Sequence, residues 1–217
     1  MLHTIDGYNQ KNIIMDYIKK SKLFLSLSFV CLVATIQAQE FKFGAKAGMN
    51  ISSISFKDSD YSTKPVIGVQ VGAIANYSFN DKIAVQPEVL FLTGGNKWRY
   101  ENGTDGRIKT SYISIPVLVQ YNIIEGLYAE AGPQYNFLLS IKQSIGDSDF
   151  DDIKELYKSG TFGFAVGVGY DLGFLLPGLK AGARYTRDLS KMNDQEVGAI
   201  DLKASMIQIG VSYTFTK

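Results

Sequence analysis

The sequence predicts an all-β fold, an eight-stranded antiparallel up-and-down transmembrane β-barrel. Three observations predict it. Stretches of about ten residues alternate bulky apolar side chains with small or polar ones at period two, the length and pattern of membrane strands. Their connections alternate long and short. A secretion leader precedes them. Thr161 to Leu172 shows the pattern most clearly: Phe162, Phe164, Val166, Val168, Tyr170 and Leu172 share one parity, and Gly163, Ala165, Gly167, Gly169 and Asp171 share the other.

The chain has 217 residues, the size of one domain, with 22 Lys and Arg against 21 Asp and Glu. A balance so near zero gives no reason to expect nucleic acid as a partner. Residues 1–38 read as an N-terminal extension and cleavable signal peptide, and 39–217 as the barrel domain. Lys19, Lys20 and Lys22 supply the basic region, Leu23 to Thr35 the apolar region, and Ile36-Gln37-Ala38 the cleavage site. Met15 opens a leader of ordinary shape and is a candidate start. Cys31, the only cysteine, lies inside the apolar region and follows Val30, which does not fit a lipoprotein site. The single histidine is His3, so the mature chain holds neither thiol nor imidazole.

Each strand follows in order. Phe41, Phe43, Ala45, Ala47, Met49 and Ile51 alternate with Lys42, Gly44, Lys46, Gly48 and Asn50. After a polar loop over Ser52 to Pro65, the face of Ile67, Val69, Val71, Ala73, Ala75, Tyr77 and Phe79 opposes Gly68, Gln70, Gly72 and Asn76. The turn Asn80-Asp81-Lys82 leads to Ile83 to Phe91. Thr93 to Lys109, rich in Gly and Asn, reads as a long loop. Ser111 to Tyr121 is the fourth strand, and Leu127 to Ile141 the fifth. Lys142 to Gly160 reads as a polar loop with helix-like composition at Asp149 to Tyr157. Thr161 to Leu172, Leu179 to Leu189 and the stretch ending at Phe215 complete the set, with another loop over Ser190 to Ile200.

A soluble carrier barrel would turn the apolar face inward. Its exterior would then carry Gly68, Gly72, Gly163, Gly167, Gly169, Gly182 and Gly210, with few Lys or Glu. Small side chains suit the cramped interior of a narrow membrane barrel instead. Phe41, Phe43, Tyr77, Phe79, Tyr121, Tyr170, Phe174, Tyr213 and Phe215 fall beside the short turns or the termini, at one height. They are the expected periplasmic aromatic girdle. The loops around Asp60, Asp105, Asp152 and Asp194 then face outside the cell.

The interior parity carries Lys42, Lys46, Glu88, Glu130, Asp171, Lys180 and Arg184. Charges confined there should pair, and Lys46, Glu88, Glu130 and Arg184 are the expected ion-pair network. Glu88 and Glu130 as an acid/base pair is the rival, but no nucleophile or cleft accompanies them. Asp147 to Asp152 resembles the start of a calcium loop, but Asp152 stands where Gly is needed and Lys158 where Glu is needed. No metal or cofactor is expected.

Several segments resemble the PorT-like outer-membrane β-barrel family: Q-P-E-V-L-F at Gln86 to Phe91, Y-I-S-I-P-V at Tyr112 to Val117, Y-A-E-A-G-P-Q-Y at Tyr128 to Tyr135, F-G-F-A-V-G-V-G-Y at Phe162 to Tyr170, and G-A-R-Y at Gly182 to Tyr185. The resemblance runs from about Phe41 to Phe215. It implies a small outer-membrane barrel with interior Glu and Arg at Glu88, Glu130 and Arg184. Ser114 departs from it, since many members have Glu there. The family's namesake acts in protein secretion, a role not carried over to this chain.

The expected function is that of a non-enzymatic outer-membrane barrel with a packed polar lumen. It would act through its extracellular loops or as an envelope component. A small porin for solutes, or an accessory component of a secretion system, is the alternative; eight strands enclose space that side chains fill, which disfavours a channel. A barrel hydrolase would ordinarily use a histidine, which the mature chain lacks. The expected partners are outer-membrane lipid, the barrel-assembly machinery during insertion, and an unidentified extracellular or envelope protein.

Overall fold

The computed structural model describes residues 41–55, 63–99, 104–146, 148–192 and 203–215. The leader expected over residues 1–38, with His3 and Cys31, lies outside the described residues, as do Asp60 and Asp194. The strands are β1 (Phe41–Ser55), β2 (Thr63–Ser78), β3 (Ile83–Arg99), β4 (Asp105–Ile124), β5 (Leu127–Ile145), β6 (Asp151–Asp152), β7 (Gly160–Asp171), β8 (Leu179–Asp188) and β9 (Lys203–Thr214). All except β6 hydrogen-bond to the next in an antiparallel ring. β1 pairs with β9, and β4 with β5, so an eight-stranded barrel closes. Closure leaves no strand edge bare to hydrocarbon, where unpaired backbone is prohibitive.

Along the membrane-spanning stretches the aliphatic residues face out, where they meet hydrocarbon, while close strand approach keeps several inward positions small. Ile67, Val69, Val71, Val89, Val119, Val166, Val168, Ile207, Ile209 and Val211 are all exposed on the outer wall. Inside, a Cβ at Gly72 would strike the Val89 carbonyl, and one at Gly169 would strike the Tyr128 ring. Glycine lets the sheet curl tightly and lets an aromatic ring lie flat across a neighbouring strand.

Three prolines lie side by side in the wall. Pro87 on β3 faces Val117 on β4, Pro116 on β4 faces Gln134 on β5, and Pro133 on β5 faces Phe164 on β7. Registered pairs are interrupted between Pro87 and Leu90 on β3, and between Pro116 and Val119 on β4. Each proline lacks the N–H a ladder needs, and grouping them confines the loss to one diagonal of the wall.

The outer ends differ from the sequence reading. The loop expected over Thr93 to Lys109 is mostly strand, since β3 runs to Arg99 and β4 starts at Asp105. Gly94 and Gly95 read as turn residues, yet they lie within a strand that continues. Gly95 has φ of 154°, a backbone conformation for glycine, and it exchanges hydrogen bonds of 2.7 and 2.8 Å with the Ser52 hydroxyl on β1. β5 likewise extends to Ile145, and the helix expected at Asp149 to Tyr157 is a single 3-10 turn at Lys154–Leu156.

The interior is not uniformly polar, which corrects the expectation of a packed polar lumen. Its outer half holds an apolar core: Leu90, Leu92, Trp98, Ile108, Tyr112, Leu138, Ile141, Met192, Ala204 and Met206 form one buried cluster, with Ile153 and Tyr157 packed on it. A bulge in β5 contributes. Ser111 pairs with Ser140 but Tyr112 pairs with Leu138, so Leu139 is extra and the parity flips. Ile141, on the lipid parity by sequence, therefore points inward and is fully buried. Above it the loop between β5 and β7 folds over the mouth, with Ile153 N–H donating to Ile141 and Lys158 N–H to Met192.

Candidate functional site in the barrel interior

Below the apolar layer lies a polar one, built from inward residues of six strands. In the ring, β3 and β8 stand diametrically opposite. Arg184 on β8 reaches across the axis to Glu88 on β3, with Nη1 to Oε2 at 2.8 Å and Nη2 to Oε1 at 2.9 Å. The same guanidinium donates from Nε to Glu130 Oε1 on β5 at 2.8 Å. Lys46 Nζ on β1 lies 3.5 Å from Glu88 Oε2. The four residues expected from sequence as an ion-pair network thus come together, two cations against two carboxylates.

Amides complete the shell. Gln86 donates to Glu88 at 2.8 Å, Gln120 to Glu130 at 3.2 Å, and Asn76 to both glutamines at 3.0 Å. Glu88, Glu130 and Arg184 are 2%, 7% and 4% exposed, so the cluster is withdrawn from bulk water. Arg suits this place because its planar fork holds two carboxylates at once and keeps its charge. A cavity of about 20 Å³ beside it, lined by Lys46, Gln70, Glu130, Arg184 and Gln208, has room for about one water.

Both carboxylates are committed to the guanidinium, and among the described residues no Ser, Cys or His side chain bonds to them. The arrangement can hold strands together and block a path; it offers no group free to abstract a proton. Lys180 sits lower, its ammonium 5.1 Å from the centre of the Tyr128 ring.

The expected girdle residues are placed as follows. Phe41 pairs with Tyr77, Ile83 with Tyr121, Leu127 with Tyr170 and Leu179 with Tyr213, which puts the rings at the short-turn end. Phe41, Phe79, Tyr121, Tyr170 and Phe215 are exposed, while Tyr77 and Tyr213 are half-buried against Phe79 and Phe215.

One interior charge was missed. Asp188 is 2% exposed and accepts a 2.9 Å hydrogen bond from Asn136. It lies on the parity of Arg184 and Thr186, so carrying the alternation four residues beyond Arg184 would have found it.

The family whose description reads "Outer membrane protein beta-barrel domain" matches residues 37–194. No curated protein matches the sequence. Among solved structures, the attachment invasion locus protein Ail of Yersinia pestis is similar at 18% identity, over 81% of this chain and 99% of that one, with a TM-score of 0.49. Neisserial surface protein A is similar at 17% identity, over 80% of this chain and 97% of that one, with a TM-score of 0.49. OprG of Pseudomonas aeruginosa is similar at 16% identity, over 82% and 98%, with a TM-score of 0.42.

Proposed function

We propose, from the premise that this chain belongs to the outer membrane protein beta-barrel domain family, that it is a closed, non-enzymatic barrel acting through its extracellular surface or as a structural component of the envelope. The protein lies in the bacterial outer membrane. The observation that carries the closed reading is the Arg184 guanidinium joining β8 to β3 across the axis, beneath a layer that includes the fully buried Ile141. A solute would have to break a neutral, fully engaged ion cluster and then cross a packed, largely apolar layer. Both are costly in a confined interior. The aromatic residues at the short-turn end serve as the periplasmic girdle, amphipathic rings resting at headgroup level. The segments quoted from Gln86 to Tyr185 support a PorT-like place within the family.

Planar-bilayer recording tests the closed reading. The expected trace is flat at physiological salt. A steady conductance on the nanosiemens scale, as a water-filled porin lumen gives, would overturn it in favour of a solute channel.

A further inference from the structure

The outer wall changes character where β2 to β5 rise past the apolar band. Phe91, Ile113 and Phe137 form one outward row across β3, β4 and β5, and Thr93, Ser111 and Ser140 form the next. Beyond these, Lys109 lies directly opposite Lys142. One step further, Lys64, Lys97 and Arg107 stand in a single line across β2, β3 and β4. All five side chains are exposed.

Like charges directly opposite one another weaken a sheet, and surfaces built for solubility mix the two signs. Among the described residues, the one cation of this face with a carboxylate ion pair is Arg99, at 2.6 Å from Asp105. That hydrogen bond holds the Asp105 carboxyl below its usual range, so this acid is ionised and already engaged. Asp152 stands opposite Lys142 on β6. Among the described residues of this face, positive charge remains in excess. The upper row lines a cleft of about 530 Å³, with Lys64, Lys97, Arg107 and the Arg99–Asp105 pair around it and Ser144 and Phe150 at its wall.

Height identifies the occupant. Two residues of strand span about 7 Å, and membrane strands tilt by about 35–45°. The two cation rows therefore stand about 10 and 15 Å above the Phe91 row. Headgroups occupy roughly 5–7 Å beyond the hydrocarbon on each side. Phe91 stands eight residues, about 20 Å, above the Ile83–Tyr121 row at the short-turn end, in an apolar band about 25 Å tall. The lower cation row therefore falls about 6 Å and the upper about 11 Å beyond the hydrocarbon, in and just above the outer headgroup layer, on the outer wall. A phospholipid offers one phosphate; three cations in line match a headgroup with several.

We propose that this face binds the phosphate groups of an outer-leaflet glycolipid, with Lys64, Lys97 and Arg107 as the main contacts and Lys109 and Lys142 beneath them. The inference rests on the outer-membrane placement and is independent of whether the lumen is closed.

The test uses the full barrel in phosphatidylcholine vesicles doped with bisphosphorylated lipid A, with dephosphorylated lipid A, or left plain with inorganic pyrophosphate added. Thermal unfolding is followed against dopant concentration. The bisphosphorylated lipid should stabilise the wild type, and the dephosphorylated one should not. The triple variant Lys64→Ser/Lys97→Ser/Arg107→Ser should lose affinity by about a hundredfold, on the scale of three basic contacts at a charged membrane surface. It should be no less stable than wild type in plain vesicles, because repulsion has been relieved, which separates lost binding from lost folding. Lys82→Ser, on the periplasmic turn, should behave as wild type. Undiminished stabilisation of the triple variant would overturn the proposal. So would an equal response to pyrophosphate alone, which would make this a soluble-anion site.

Discussion

Replacing Arg184 by Met keeps much of the side-chain volume and removes the cation on which the interior converges. Three hydrogen bonds are lost, two to Glu88 and one to Glu130. Bonds to charged groups are worth about 1.5–3 kcal/mol each. Their sum overstates the loss, because each carboxylate keeps a partner: Lys46 and Gln86 for Glu88, and Gln120 for Glu130. The cluster does become net negative in a site with room for about one water. Truncating one partner of a buried pair costs about 3–5 kcal/mol, and that is the expected destabilisation. Urea unfolding in lipid vesicles would measure it, with Glu88→Gln and Glu130→Gln made singly and in the Arg184→Met background. Both cycles should show positive coupling, within the roughly 0.5–3 kcal/mol seen for contacting residues. Coupling to Glu88 should be the larger, since two bonds and the link across the axis are at stake. Strict additivity in both cycles would refute the reasoning, because it would mean that Arg184 holds neither carboxylate.

Three further outcomes are expected. Val166→Arg places a charge on the lipid face at mid-height of β7 and should cost about 2–4 kcal/mol in vesicle unfolding, whereas Val168→Arg, one row from Tyr170, should cost less; equal tolerance of both would reverse the inside and outside of the wall. Ile141→Ala should cost roughly 2–5 kcal/mol, the range for a buried aliphatic truncation, and a negligible change would mean that the outer half of the interior is wet. A cysteine at position 105 should react with an impermeant thiol reagent on intact cells while one at position 81 does not, and the opposite pattern would invert the orientation.

The interior cluster was legible in the sequence because Lys46, Glu88, Glu130 and Arg184 sit in unbroken stretches of alternation. Parity alone assigns them inward, and charge balance alone pairs them. That Arg184 takes Glu88 by two bonds and Glu130 by one depends on strand stagger around the ring, which no local pattern encodes. The apolar outer layer was hidden for another reason. A single extra residue, Leu139, reverses every later side chain of β5, and such a bulge leaves no mark on composition. The rise of β3 and β4 beyond the membrane was obscured by Gly94, Gly95 and Asn96, which carry turn chemistry but are buried inside a continuing strand. The basic rows were visible only as scattered lysines and arginines until register set them side by side.

The diagonal of prolines has a mechanical consequence. A barrel wall resists flattening through its ladders, and this one is interrupted along Pro87, Pro116 and Pro133. Glu88 is the residue next to Pro87, and it receives the guanidinium from the far wall. The cross-axis link is therefore moored beside an interrupted strip of the cylinder. It acts as a strut, carrying inward load from the weak side to β8. Stiffness that a proline-free wall would draw from its backbone is supplied here by one ion pair spanning the bore. Amides flanking the prolines should accordingly be the ones whose exchange quickens when Arg184 is cut.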